Sequence, residues 1–212
     1  MIMEHVKFTE MRYGDREDYE LLEVLDKDFA AKTGQRIFNL LEELRDSFSG
    51  FQISRLSHSL QSATRAWWDG ADVDWIMAAL LHDIGDLHAP YTHGEYAANV
   101  VRPFIREQCT WTIQVHADFQ KYYYAHLFGG DRHVRDIYQK NPYYRDCIDF
   151  CELWDQTSFD PNYQELPLDF FQPMILEIFE RKPFDPQVIQ NGKRVPLVDD
   201  MVASERAAAN QN

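Results

Sequence analysis

Residues 80–86, which read Leu-Leu-His-Asp-Ile-Gly-Asp, constrain this chain more than any other stretch. They place a histidine and an aspartate side by side at the end of an apolar run. Adjacent residues on a helix point about 100° apart, so His82 and Asp83 cannot share one ion in the manner of an i, i+4 pair. They can bind two different ions, or the carboxylate can lie between two. Because an unpaired carboxylate after an apolar run would be costly, the stretch predicts a bound cation.

Further candidate ligands occur on both sides of this pair, each in a segment whose pattern predicts a helix. In chain order, the candidate ligands are His58, His82, Asp83, His93, His116 and Asp155. Metal sites in helical bundles are built in this way, with ligands from several helices. Imidazole and carboxylate together suit iron, manganese, cobalt or zinc rather than calcium. Since this set is too large for one ion with an open position, the sequence favours a dinuclear site with Asp83 between the ions.

Hydrophobic periodicity predicts an all-α fold. The predicted helices span residues 17–31, 35–48, 54–69, 73–84, 93–103, 110–127, 142–158 and 169–181. We expect a helical extension packed on the core at 1–49 and a helical bundle with the dinuclear site at 50–182. Because prolines and polar residues dominate after Pro183, we expect an extended or partly disordered tail at 183–212.

Composition limits what the chain binds. Its 212 residues have a formal net charge of -14, and such a surface repels nucleic acid and anionic membranes. No apolar stretch approaches the length of a membrane span, and the N-terminus lacks a signal-peptide pattern. Three sparse cysteines fit a reducing compartment. We therefore expect a cytoplasmic protein that acts on a small molecule, and the aromatic content permits a homodimer.

The residues around these ligands resemble the HD-domain superfamily of metal-dependent enzymes, named for a His-Asp pair such as His82-Asp83. Three segments, residues 57–63, residues 74–85 and Trp154-Asp155, are similar to its mixed-valent diiron oxygenase branch, which includes myo-inositol oxygenase and the phosphonate-cleaving HD oxygenases. The resemblance implies an HD-domain bundle in which all six candidates are ligands and Asp83 is the bridge. It also implies two iron ions, Fe(II)/Fe(III), and O2 as co-substrate for removing hydrogen from the carbon next to a metal-bound hydroxyl.

Departures from the oxygenase pattern bear on the substrate. Asp86 replaces a basic residue, Glu152 replaces an arginine, and Gln120 stands where the phosphonate enzymes have a lysine, with Lys121 beside it. The resemblance therefore implies a hydroxylated substrate that is neutral or cationic rather than a phosphonate. Acidic side chains would supply charge, and the tyrosines at 122–124 would supply aromatic faces for a cation. The candidate substrate residues are Asp86, Gln120, Lys121 and Tyr123.

Two other functions remain open. One is an HD-type metal-dependent phosphohydrolase that uses Mn, Co or Mg and acts on a small phosphate ester. It needs basic residues near the metals, and the candidates Arg55, Arg65, Arg102 and Lys121 follow no phosphate-cradling pattern. The other is an inactive HD module that binds partners. The intact ligand set argues against it, because a scaffold has no need for a costly buried cluster.

Overall fold

The computed structural model describes residues 4–47 and 50–210, and all regular secondary structure in these residues is helical. The all-α prediction is confirmed. The α-helices are α1 (Arg16–Ala30), α2 (Thr33–Glu43), α3 (Arg55–Trp68), α4 (Val73–Leu81), α5 (His93–Val101), α6 (Glu107–Tyr124), α7 (Tyr144–Phe150), α8 (Leu168–Glu180), α9 (Pro186–Ile189) and α10 (Asp200–Ala209). None of the helices in the described residues combines the length and the apolarity needed to cross a bilayer.

Helix α4 lies at the centre of the bundle. Every residue from Trp75 to Leu81 is buried, and α4 packs against α3, α6 and α8. The N-cap residue Asp72 accepts a hydrogen bond from the Trp75 backbone N–H at 3.1 Å, which satisfies one of the free donors at the helix start. This capped and buried helix fixes the position of the His-Asp pair that follows Leu81.

The chain leaves helix α4 earlier than the sequence predicts. The prediction of a helix to residue 84 is wrong, because tight turns replace the helix after Leu81, with Ile84 N–H donating to Leu81 O at 3.2 Å. Gly85 lies against the start of α5, where a Cβ atom would come within 2.5 Å of the His93 carbonyl oxygen. Only glycine permits this approach. The turn therefore brings His93 next to the His-Asp pair.

Helix α2 is integrated into the core, whereas α1 is not. Ile37, Phe38 and Leu41 are buried where α2 packs on α8. Within α1, Asp18 alone is buried. Helix α2 ends at Glu43, before the residue 48 end that the periodicity predicts, and Phe48 lies outside the described residues. Of the two N-terminal helices, α2 therefore contributes apolar side chains to the core and α1 does not.

The tail beyond residue 183 differs from the extended or disordered segment that the sequence predicts. It is extended between α9 and α10 but ends in a helix, with Asp199 as its N-cap. The side chain of Gln108 pairs with both backbone groups of Val195, at 2.9 and 3.1 Å. Arg206 donates to a backbone carbonyl at the end of α3 at 2.6 Å. These contacts to distant elements satisfy the polar groups of the tail and hold it against the bundle.

Candidate metal centre

Four of the six predicted ligands converge in the core. Nε2 of His58, on α3, lies 3.0 Å from Nε2 of His82 and 3.4 Å from Oδ1 of Asp155. His82 Nε2 lies 3.6 Å from the same Asp155 oxygen. Oδ2 of Asp83 completes the group, at 3.5 Å from His58 Nε2 and 3.6 Å from His82 Nε2. All four residues are buried, so these atoms enclose a small polar volume.

The remaining two ligands lie on the other side of Asp83. His93 is the first residue of α5 and His116 belongs to α6, and their Nε2 atoms lie 3.3 Å apart. Oδ1 of Asp83 lies 3.5 Å from His93 Nε2 and 3.2 Å from His116 Nε2. The two oxygens of one carboxylate therefore face two different sets of imidazoles, as expected of a bridging ligand.

Backbone carbonyls fix the orientation of the imidazoles. The Nδ1 atoms of His58, His82 and His116 lie 2.9, 2.8 and 2.6 Å from carbonyl oxygens. When these Nδ1–H groups donate to the carbonyls, the neutral rings point the lone pairs of Nε2 inward. The Nε2 lone pairs of His58 and His82 then face each other across 3.0 Å. Two acceptors at this distance repel, and a cation between them removes the repulsion.

The distances between ligand atoms also fit metal coordination. With metal–nitrogen bonds of about 2.0–2.1 Å, two ligand atoms on one ion lie roughly 2.8–3.4 Å apart at right or tetrahedral angles. The spacings in the two groups range from 3.0 to 3.6 Å. Within the described residues, three groups of His and Asp side chains lie close enough to hold an ion: His58, His82 and Asp155; His82, Asp83 and His116; and Asp83, Asp86 and His93. The residues therefore fit a pair of metal ions.

Burial and charge act in opposite directions on the ionisation of these groups. Burial favours lower pKa values for His58 and His82, but the neighbouring carboxylates outweigh it, so both pKa values are raised. Burial favours higher pKa values for Asp83 and Asp155, but the imidazoles lower both. The carboxylates therefore stay ionised, and protons or metal ions supply the positive charge that they require.

A π-helical turn places Asp155. Residues Cys151–Asp155 extend α7 with a wider turn, in which Gln156 N–H donates to Cys151 O at 3.0 Å. The extra residue changes which side chain faces α3. Such turns are rare and frequently occur at functional sites. The apolar pattern of the sequence did not reveal this turn.

Gln120 supports Asp155. Its Nε2 lies 2.6 Å from each Asp155 oxygen, so the amide donates to the carboxylate and fixes its rotation. The sequence predicted Gln120 as a substrate residue. Its contacts give it a positioning role beside the ligand set, and the substrate role stays a prediction.

Arg55 lies at the centre, and the sequence had named it only among the basic residues that a phosphohydrolase would need. Its Nη1 lies 2.9 Å from Asp86 Oδ2 and 3.2 Å from Asp83 Oδ2. Its position three residues before His58, on the same helix face, was the available signal. Burial and the charge of Asp83 raise the pKa of Asp86. A cleft of about 250 Å³ opens here, lined by Ser47, Arg55, Asp86, Leu87, Pro90 and His93.

Lys121 and Tyr123 do not join the ligands. Lys121 Nζ forms an ion pair with Asp118 at 2.7 Å, beside a separate cavity of about 180 Å³ that His93 also borders. Burial raises the pKa of Tyr123 to about 12, so its hydroxyl stays protonated at neutral pH. Neither residue forms a hydrogen bond or an ion pair with the six ligands among the described residues, although the charge of Asp155 contributes to the raised pKa of Tyr123.

The acidic and aromatic residues expected to attract a cation are not brought together. Asp86 is paired with Arg55, and Glu152 is exposed. The ring of Tyr122 already stacks with Arg132 and Arg135, whose Cζ atoms lie 4.0 and 3.7 Å from its centroid. The structure therefore gives no support to a preference for cationic substrates.

Comparisons with known proteins agree with the resemblance seen in the motifs. No protein-family model matches the chain. Hydroxymethylphosphonate dioxygenase from Gimesia maris is 31% identical over 104 residues, which cover 42% of this chain and 52% of that protein. The chain thus spans about half the length of this curated relative. The predicted resemblance to the HD-domain oxygenases is confirmed at the level of this partial similarity.

Proposed function

We propose that this chain is an oxygenase that uses two iron ions, Fe(II)/Fe(III), and O2 to oxidise a small hydroxylated molecule. The main observation is the placement of Asp83, whose two oxygens face separate groups of imidazoles at 3.2–3.6 Å. Similarity to a dioxygenase supports oxidation over hydrolysis.

The two groups of ligands differ in burial and in the number of protein ligands, which favours different roles for the two ions. His58, His82 and Asp155 are fully buried and would hold one ion together with Asp83. The other ion would have His93 and His116, and the His93 side chain is 20% exposed at the cleft. Fewer protein ligands leave more open positions. We therefore assign the ion on the His93 side to the substrate.

An iron pair would supply Lewis acidity toward a substrate hydroxyl and the electrons for reduction of O2. The chain itself excludes water and orients the substrate. The Phe159 ring stacks on His58 at 4.4 Å and is itself covered by Phe51 at 4.8 Å. Arg55 and Asp86 offer a donor and an acceptor beside the cleft. This pair can orient a polar substrate without requiring a particular net charge.

Metal loading and O2 consumption test the proposal together. Protein loaded with iron under anaerobic conditions should bind two irons per chain and give a mixed-valence electron paramagnetic resonance signal after partial oxidation. O2 uptake should then depend on one member of a panel of polyols, amino alcohols and hydroxyphosphonates, hydroxymethylphosphonate included. His82→Ala should abolish both results, whereas His133→Ala, at an exposed histidine, should change neither. Full iron occupancy without O2 uptake on any compound contradicts the proposal.

A second candidate function is hydrolysis of a small phosphate ester, and Arg55 favours it. A guanidinium 3.2 Å from the bridging carboxylate is suited to phosphate oxygens. Hydrolysis of a generic phosphate ester that Mn or Co stimulates, without O2 uptake, would support this function. Arg55→Met should then raise KM for the ester more than it lowers kcat.

A further inference from the structure

Residues 157–160 follow the predicted ligand Asp155 closely and have no regular secondary structure. This segment contacts a second predicted ligand, His58, in two ways. The carbonyl oxygen of Ser158 lies 2.9 Å from His58 Nδ1, and the Phe159 ring stacks on the imidazole with ring centroids 4.4 Å apart. The segment therefore holds both an edge and a face of the His58 ring.

His58 differs from two other predicted ligands in the origin of the carbonyl that orients it. His82 Nδ1 lies 2.8 Å from Ala79 O and His116 Nδ1 lies 2.6 Å from Ile113 O, each three positions earlier in the chain. The carbonyl that faces His58 is 100 positions away. Local backbone geometry therefore orients His82 and His116, whereas the orientation of His58 depends on what holds residues 157–160.

Gln61 holds the end of this segment. Its side chain is buried and lies one turn after His58 on the same face of α3. Its Nε2 donates to the Asp160 carbonyl oxygen at 2.8 Å, and its Oε1 accepts from the Asp160 backbone N–H at 3.3 Å. Buried backbone groups of an irregular segment need such partners. Gln61 thus fixes the residue next to Phe159.

Two further side chains of α3 bind the chain on either side of Asp160. Arg65 Nη2 donates to the Thr157 carbonyl oxygen at 2.9 Å, and Thr64 Oγ1 accepts from the Leu166 backbone N–H at 2.9 Å. Loss of the Gln61 amide would leave both backbone groups of Asp160 without that partner, which is more costly than the net value of the hydrogen bonds.

We propose that Gln61 is a positioning residue of the metal centre, which fixes residues 157–160 through the backbone of Asp160 and thereby fixes the imidazole of His58. Among the described residues, the hydrogen bonds of Gln61 go to Ser57 and Asp160 and not to a predicted ligand, so it acts through the segment. The effect on metal binding rests on the proposed dinuclear centre, whereas the effect on His58 does not.

Gln61→Met tests this role on the full chain, since methionine has a similar length but neither an amide donor nor an amide acceptor. Two protons that Gln61 does not contact report on the segment: His58 Nδ1–H and the Ser158 backbone N–H, which donates to Asp155 O at 3.0 Å. In metal-free protein, NMR should show that both exchange with solvent about tenfold faster in the variant. In anaerobic titration with Fe(II), one equivalent should bind about tenfold more weakly while the other keeps its affinity.

Thr64→Val is the matched control, because it also removes a hydrogen bond between α3 and this part of the chain, but at Leu166. It should lower the free energy of unfolding and leave the exchange of His58 Nδ1–H and both iron affinities unchanged. Circular dichroism verifies folding. Should Gln61→Met not fold, Gln61→Glu keeps the acceptor for the Asp160 N–H, loses the donor, and should accelerate exchange in the same way.

Unchanged exchange of His58 Nδ1–H in the Gln61 variant overturns the proposal, and so does the same acceleration in Thr64→Val. Equal weakening of both iron equivalents also overturns it, because that result indicates a general loss of stability. If the unchanged chain binds no iron, the proposed function fails, and the exchange of His58 Nδ1–H still decides whether Gln61 positions this ring.

Discussion

Replacing Gln120 by leucine tests the metal centre without removing a ligand. The amide donates to both oxygens of Asp155 at 2.6 Å, and leucine has a similar size but no donor. A hydrogen bond to a charged group contributes about 1.5–3 kcal/mol, and 1.4 kcal/mol corresponds to about tenfold in an equilibrium constant. Loss of the support for Asp155 should therefore weaken the ion beside it about 10–100-fold.

Anaerobic titration of metal-free protein with Fe(II), in competition with a chelator of known affinity, separates the two ions. In the Gln120→Leu variant, one equivalent should bind more weakly while the other, held by His93 and His116, keeps its affinity. Gln114→Leu makes the same chemical change at an exposed position of α6 and serves as the control. Unchanged binding of both equivalents in the Gln120 variant refutes the supporting role, and so does equal weakening in the control.

The centre and the tail give three further predictions. His82→Ala should prevent binding of the first ion and lower stability, because ligation is coupled to folding; elemental analysis that still finds two ions per chain contradicts the ligand set. In metal-free protein, the raised pKa values of His58 and His82 stabilise the fold fully below pH about 6.5, the unfolded value, and this stabilisation is lost as pH rises through the folded values. The lowered pKa of His93 acts in the opposite direction over the same pH range, but it is one group against two. Urea unfolding should therefore give a smaller free energy at pH 8 than at pH 6, and the reverse order contradicts this balance. Arg194 donates to buried Asp146 at 2.5 and 2.9 Å, so Arg194→Met should cost about 1–3 kcal/mol; hydrogen exchange in residues 192–198 should then accelerate, and unchanged exchange would show that the tail is held elsewhere.

The sequence was sufficient to select the residues that meet in the core. Each candidate ligand came from a different predicted segment, apart from the adjacent pair His82-Asp83, and the structure brings all six together. The selection was possible because a histidine and an aspartate at the end of an apolar helix indicate a buried polar site. Whether the six hold iron stays a prediction that the metal analysis tests.

The residues that support the ligands were harder to predict, because their partners are distant in sequence. Gln120 contacts Asp155, which lies 35 positions away in the sequence. The π-helical turn that orients Asp155 cannot be recognised from the pattern of apolar residues. The tail shows the same limitation. Its prolines and polar residues indicated disorder, yet Gln108 binds the Val195 backbone across 87 positions. The composition of a segment therefore does not predict whether distant residues will hold it in place.

The same limitation affected the prediction of the net charge of the cleft. From the sequence, Asp86 in place of a basic residue predicted an acidic site and a neutral or cationic substrate. In the structure, Arg55 lies 2.9 Å from Asp86 and offsets its charge. The residue type at one position therefore does not determine the charge that a substrate meets, because a neighbour on another helix can cancel it. An anionic substrate that approaches Arg55 meets no uncompensated carboxylate at Asp86, so hydroxyphosphonates belong in the substrate panel together with polyols and amino alcohols.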